Sequence, residues 1–265
     1  MNAEIRPSDV PDYRAQVSLS GGRMIVLGGG AGIGRQAVHA LTQLGARVAC
    51  VDRDMALAED VATETGATAF ACDAIDIGSL SNCFSAAAEA LGGPVTGVVD
   101  IIGTAWMGPL ADMQASDWEF QLDVNLRHAI NVGQIVGRLP TPPTSIAFVG
   151  SISGIRHVPR QGAYGVVKAA LHQLVRAMAD EMGPAGTRVN AIAPGWTKTP
   201  RLAERLGEER WRIVDEAIPR GHAGDPAEIA GPLAFLMSAL STYVTGQILV
   251  VDGGLTNAQV TPQIF

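Results

Sequence analysis

Residues 24–34 read MIVLGGGAGIG. A short apolar run stops at Gly28-Gly29-Gly30-Ala31-Gly32-Ile33-Gly34, and residues 36–44 continue with helical spacing of their apolar positions. A strand that turns through glycines into a helix strongly restricts the fold, because the next strand must then lie parallel to the first. The rest of the chain keeps that rhythm. Strand-like runs at 47–51, 68–72, 97–102, 145–149, 188–192 and 247–251 alternate with helical stretches at 56–65, 79–91, 116–137, 163–182, 200–217 and 226–240. Ser79 is expected to cap the second of these helices, and Ser116-Asp-Trp-Glu119 reads as a capping box opening the third. The expectation is an α/β fold: a doubly wound parallel sheet of about seven strands with helices on both faces, a Rossmann fold in one domain. Residues 1–22 are expected to form an N-terminal arm, 23–255 the domain and 256–265 a C-terminal tail.

The glycine run has two readings. Glycines serve tight turns anywhere, but after a strand and before a helix they also let the backbone approach a pyrophosphate at the helix N-terminus. Gly28, Gly32 and Gly34 are spaced G-x-x-x-G-x-G, not the commoner G-x-G-x-x-G. Asp52 favours the second reading. It follows the second strand by one residue, where an acid accepts adenosine ribose hydroxyls and repels a 2′-phosphate. NAD(H) is therefore the preferred cofactor. NADP(H) stays an alternative because Arg35 and Arg53 are near. Asp73, after the third strand, is placed either to meet the adenine or simply to make a strand-end turn.

Tyr164 and Lys168 stand four apart on an expected helix and so share a face. Such a pair is commonly just a half-exposed surface. It can also be a proton-transfer unit, since an ammonium beside a phenol favours the phenolate.

Bulk features exclude several classes. A formal net charge of −7 argues against a broad nucleic-acid or anionic-membrane surface. The cysteines are Cys50, Cys72 and Cys83, with no Cys-x-x-Cys pair and no clustered Cys/His, so no metal site is expected; Cys50 and Cys72 read as small core residues. An odd, sparse cysteine count, no secretory pattern in the first twenty residues and no apolar run of bilayer length give a cytoplasmic expectation.

These motifs together resemble the short-chain dehydrogenase/reductase family, in its form of about 250 residues. The resemblance covers roughly residues 22–254 and adds Asp123-Val-Asn-Leu126, Ser151, Asn190-Ala-Ile-Ala-Pro-Gly195, Val244-Thr-Gly-Gln247 and Val251-Asp-Gly-Gly254. It implies that Tyr164 is the catalytic acid/base and that Lys168 lowers its pKa and bonds the nicotinamide ribose. It implies that Ser151 polarises the substrate oxygen, with Ser153 a rival or helper, and that Asn125 kinks its helix and anchors a water in a proton relay. Gly28, Gly32, Ile33, Gly34, Asp52, Asp73, Ala74, Gly103, Pro194, Gly195, Thr197 and Thr199, with Tyr164 and Lys168, are the implied cofactor contacts.

Four positions depart from the family pattern. Leu27 replaces a Thr, Asp100-Ile101-Ile102-Gly103 replaces Asn-Asn-Ala-Gly, Gly150 replaces a Ser, and Val167 replaces a Ser. Substrate contacts are expected from the loops 104–109, 152–161 and 196–217, with Trp106, Trp196 and Ser153 the candidates. The implied activity is interconversion of a small-molecule secondary alcohol and ketone with NAD(H). The alternatives are an NADPH-dependent 3-oxoacyl thioester reductase and, in another class, a non-catalytic NAD(H)-binding protein. A homotetramer, or a dimer, is the implied assembly.

Overall fold

Successive residues of a strand point to opposite faces of a sheet, and here both faces are apolar. The computed structural model describes residues 10–258. Seven strands pair in parallel in the order β3-β2-β1-β4-β5-β6-β7. They are β1 (Arg23–Leu27), β2 (Arg47–Asp52), β3 (Thr68–Ala71), β4 (Gly97–Asp100), β5 (Ser145–Val149), β6 (Arg188–Pro194) and β7 (Ile248–Val251). Ile25, Leu27, Val98 and Phe148 pack on α4 (Ile77–Ala90), α6 (His128–Val136) and α7 (Gly162–Met182). Met24, Val26, Val99 and Val149 pack on α2 (Gly32–Gln43), α3 (Met55–Thr65) and α10 (Pro226–Met237). Burial on both faces explains why the strands read as continuous apolar runs. The expected doubly wound sheet is the one observed.

The chain builds outward from β1 to β2 and β3, then crosses back to place β4 on the other side of β1. The carboxyl ends of β1 and β4 thus border the crevice where the strand order reverses, the usual ligand position in such sheets.

Several helix boundaries differ from the sequence expectation. The carboxylate of Asp76, not Ser79, caps α4 by accepting the Gly78 and Ser79 N–H groups at 2.7 and 3.0 Å. The long helix expected over 116–137 is broken: α5 (Ala115–Leu122) and α6 flank a π-helical turn, Asp123–Arg127. Asp117 accepts the Gln114 N–H at 2.9 Å, so the box opens at Gln114, two residues before Ser116, and does not use that serine. The stretch 200–217 splits at Leu206-Gly207 into α8 (Pro200–Arg205) and α9 (Glu208–Ala217). The helix expected to reach 240 stops at Met237, where the Ser238 hydroxyl accepts the Leu240 N–H at 3.3 Å.

The described part of the arm is partly ordered by local structure. A short helix, α1 (Tyr13–Val17), is capped by Asp12, and Leu19 is buried with its N–H bonded to the Leu44 carbonyl at 2.8 Å. Residues 1–9 of the expected arm, and the tail from 259 with Ile264 and Phe265, lie outside the described residues. Among the described residues, no helix is long and apolar enough to cross a membrane.

Candidate active site

The site assembles beyond the carboxyl ends of β1, β4, β5 and β6. Tyr164 and Lys168 lie one turn apart on α7, and the Lys168 Nζ is 5.8 Å from the centroid of the Tyr164 ring. Lys168 is 1% exposed, and its Nζ donates to the Val149 carbonyl, the last residue of β5, at 2.9 Å. Ser151, two residues further on, is buried; its hydroxyl accepts the Ser153 N–H at 3.1 Å and lies near enough to Tyr164 to lower its pKa. Ser153 points elsewhere, donating to Gln161 Oε1 at 2.6 Å. The two serine hydroxyls thus have different partners.

Asn125 sits buried in the π turn. Its Nδ2 donates to the carbonyls of Thr104 (3.0 Å) and Gln121 (3.1 Å), while its Oδ1 accepts the Thr104 N–H at 3.0 Å. The extra residue of a π turn re-aims the backbone, a device frequent at functional sites, and here it lets one amide side chain brace the loop after β4. Gly103 lies under that brace. A Cβ there would stand 2.8 Å from Asn125 Oδ1 and 3.0 Å from Lys168 Nζ, so the loop passes only as bare backbone.

Desolvation pushes the Tyr164 phenol up to about 12, with Ser151 opposing. Burial likewise pulls the Lys168 ammonium down to about 8, opposed by the charge of Asp100. Desolvation acts against the charged form of each group, so at neutral pH the resting pair is a phenol and an ammonium.

Two histidines that the sequence did not single out lie behind the pair. His128 Nδ1 is 2.7 Å from Asp100 Oδ2, with side chains 1% and 0% exposed. His172 is one turn beyond Lys168 on α7; burial, with Lys168 and Arg176 nearby, pulls it down to about 4. It also explains the Gly150 departure, because a Cβ at residue 150 would collide with His172 Nε2. The Asp100 departure is explained by its bond to His128. Leu27 and Val167 are fully buried and simply fill the core.

The nucleotide side fits a dinucleotide. Gly28 and Gly32 have φ of +77° and +54°, and a Cβ on Gly34 would strike the Gly28 carbonyl, so turn and helix close on each other only as glycines. Ala31 starts α2 with no side-chain cap, leaving the helix N-terminus beside Ile33 for an anion. Asp52 ends β2; one carboxylate oxygen accepts the Gly30 N–H at 3.1 Å and the other the Asp54 N–H at 3.2 Å. It therefore stands at the edge of the glycine turn. Asp73 closes a turn by accepting the Ile75 N–H at 3.0 Å and, with Arg53, Met55 and Ser79, lines a surface cleft of about 670 Å³. Ala74 is buried beside it, its carbonyl held by Asn131 Nδ2 at 3.0 Å. Pro194 pairs with Val251 at the end of β6, and Gly195 leads into Thr197, whose hydroxyl donates to the Gly195 carbonyl at 3.2 Å. Thr199 comes back against the glycine turn, 3.4 Å from where a Gly32 Cβ would lie.

On the opposite side, Trp106 is half-buried, and its backbone N–H donates to Gln121 Oε1 at 3.2 Å. Trp196 meets Trp211 edge-on at 6.5 Å between centroids, and Lys198 Nζ lies 5.5 Å from the Trp211 ring. The Trp196 ring therefore anchors α8 and α9. Arg156 is tied down by the Leu255 carbonyl at 3.0 Å. Among the described residues no group of three or more His, Cys, Asp or Glu is arranged to hold a metal ion.

Known proteins resemble this chain in sequence and fold. The family model described as "Enoyl-(Acyl carrier protein) reductase" matches residues 28–256. Galactitol 2-dehydrogenase (L-tagatose-forming) of Cereibacter sphaeroides is 35% identical over 92% of this chain and 99% of its own. A tropinone reductase homologue of Arabidopsis thaliana is 31% identical over 90% of this chain and 91% of its own. The crystal structure of a short-chain type dehydrogenase/reductase from Mycobacterium marinum superposes with a TM-score of 0.83 at 28% identity, covering 92% of this chain and 98% of that one. Proteins of this family are oxidoreductases that bind NAD(P)(H). The chain belongs to the short-chain dehydrogenase/reductase family.

Proposed function

We propose that the protein is an NAD(H)-dependent oxidoreductase that interconverts a secondary alcohol and a ketone, with Tyr164 as the acid/base. The observation that carries this reading is the convergence of Ser151, Tyr164 and Lys168 at the carboxyl end of β5. A non-catalytic binder has no need of that convergence, because the fold does not require it.

When bound, the nicotinamide dinucleotide donates or accepts the hydride. Gly28, Gly32, Ile33 and Gly34 would hold its pyrophosphate and Asp52 its adenosine ribose. Asp73, Ala74 and Gly103 would line it, while Pro194, Gly195, Thr197 and Thr199 would hold the nicotinamide end. The chain's own groups manage the proton. Tyr164 rests as the phenol, the form that protonates a developing alkoxide during ketone reduction. In alcohol oxidation it must first release that proton, which the Lys168 charge favours by stabilising phenolate. Ser151 donates a hydrogen bond where negative charge grows on the substrate oxygen. Asn125 and Gly103 fix the loop that walls the reacting pair, and Trp106, Ser153 and Trp196 lie at the substrate side.

Asp52 supports NAD(H) over NADP(H). The test is a screen of purified protein with NAD⁺ and NADP⁺ against secondary alcohols, sugars and hydroxy acids, followed by nicotinamide absorbance. Turnover with NAD⁺ supports the reading. NADPH-dependent reduction of 3-oxoacyl thioesters, with no NAD(H) activity, counts against it. A homotetramer or dimer in the cytoplasm accompanies this proposal, and sedimentation of the pure protein tests the assembly.

A further inference from the structure

Among the described residues the buried ionisable side chains of carboxylate or ammonium type are one acid, Asp100, and one base, Lys168, each 1% exposed. They lie at the same end of the sheet. Asp100 ends β4 and is paired in register with Phe148, the neighbour of Val149, whose carbonyl holds Lys168 Nζ. Three residues after Asp100, Gly103 lies against both Lys168 Nζ and Asn125; three residues after Asn125 comes His128. The segments 100–103 and 125–128 therefore run side by side, with Lys168 at one end and the Asp100–His128 pair at the other.

The pair is well specified. An ionised carboxylate only accepts hydrogen bonds, so His128 Nδ1 carries the proton it donates to Asp100 Oδ2 at 2.7 Å. Asp100 Oδ1 accepts the Ile102 N–H at 3.1 Å. His128 Nε2 is buried without a partner, which suits an acceptor nitrogen and disfavours a second, unpaired N–H. A buried ammonium with a single carbonyl acceptor is expensive unless an opposite charge is near.

We propose that Asp100, oriented by His128, is the buried counter-ion of Lys168, and that Asp100 and His128 are positioning residues for the Tyr164–Lys168 pair. This deepens the activity proposed above and rests on it. The titratable groups facing Lys168 are Tyr164 and His172 from its own helix and Asp100 from β4; His172 is held neutral by burial, and the remaining neighbours, Asn125 and the Val149 carbonyl, carry no charge.

The chain has only two lysines, Lys168 and Lys198, so protein labelled with ¹³C-lysine gives two side-chain signals to titrate by NMR, and K198R assigns them. In the wild type the Lys168 Cε signal is that of an ammonium at pH 7; a neutral amine signal there would overturn the proposal. In D100N, Lys168 loses protons at least tenfold more readily, a titration at least one pH unit lower. H128L, which removes the donor to Asp100, moves the titration the same way, and H128Q, which keeps an amide N–H, brings it back. A folded D100N or H128L protein whose Lys168 titrates as in the wild type would also overturn it. Turnover is not part of this readout. A protein without dehydrogenase activity that shows the D100N shift overturns only the proposed activity, whereas an active enzyme with an unmoved Lys168 overturns the counter-ion.

Discussion

The Lys168 ammonium lies 5.8 Å from the Tyr164 ring yet spends its hydrogen bond on the Val149 carbonyl at 2.9 Å. The two residues are neighbours, but the lysine is tethered to β5 rather than to the phenol. It therefore acts on Tyr164 through its charge and serves the sheet end through its hydrogen bond.

Removing that charge should separate activity from stability. Lys168→Met keeps the stem's packing and drops a buried ammonium that burial already pulls down to about 8. Turnover is expected to fall about 10²–10⁴-fold, the usual contribution of positioned acid–base groups. Stability should fall as well, because Asp100 is left as an unpaired buried charge, and adding Asp100→Asn should restore the thermal midpoint but not turnover. Turnover that returns together with the midpoint would mean that the lysine is mainly structural.

His172 sets an acid limit on stability. Its folded pKa, about 4, lies below the ordinary value of 6.5. The unfolded chain then binds the extra proton first as pH falls. Stability is intact above about 6.5, declines through the window down to about 4, and changes no further below it on this account. The whole effect is about 3 kcal/mol from the size of that shift. Urea melts at stepped pH read it directly, and His172→Leu should flatten that part of the curve. An unchanged slope in the variant would contradict the assignment.

Gly150 and His172 should be coupled. Gly150→Ser restores the residue usual in the family but drives its Cβ into the His172 ring. Overpacking of this kind costs about 1–3 kcal/mol. In a His172→Ala background the serine should cost much less, so a double-mutant cycle of unfolding free energies should show strong coupling. Additive costs would mean that the glycine is there for another reason.

Asp52→Ala should relax cofactor choice. The carboxylate stands beside Gly30 at the glycine turn, where it disfavours a second anion. The ratio of kcat/KM for NAD⁺ over NADP⁺ is expected to drop by at least tenfold. A ratio that stays the same or grows would remove Asp52 from the ribose position.

Much of this was legible in the sequence because it depends on local spacing. The β1–glycine–α2 turn, the alternation of strand and helix, and the Tyr164–Lys168 interval each reside in a few consecutive residues. The rest depends on contacts between distant segments. Asp100 and His128 are 28 residues apart and meet only because β4 and α6 are brought together. His172 and Gly150 belong to different elements, so the glycine looked like an unexplained gap. The π turn around Asn125 left the apolar spacing of 116–137 looking like one helix, since one extra residue hardly disturbs it. The desolvation that raises the Tyr164 pKa is hidden for a related reason: sequence shows a nearby lysine but not the surroundings of the phenol.

The most direct test of the account is Tyr164→Phe, which deletes one hydroxyl from the proposed acid/base. NADH binding, followed by the quench of protein fluorescence, should stay within a few-fold of the wild type. Turnover with the best substrate from the NAD⁺ screen should fall at least about 10³-fold, within the range for loss of a positioned acid–base group. A variant that binds NADH and turns over at the wild-type rate would contradict the account.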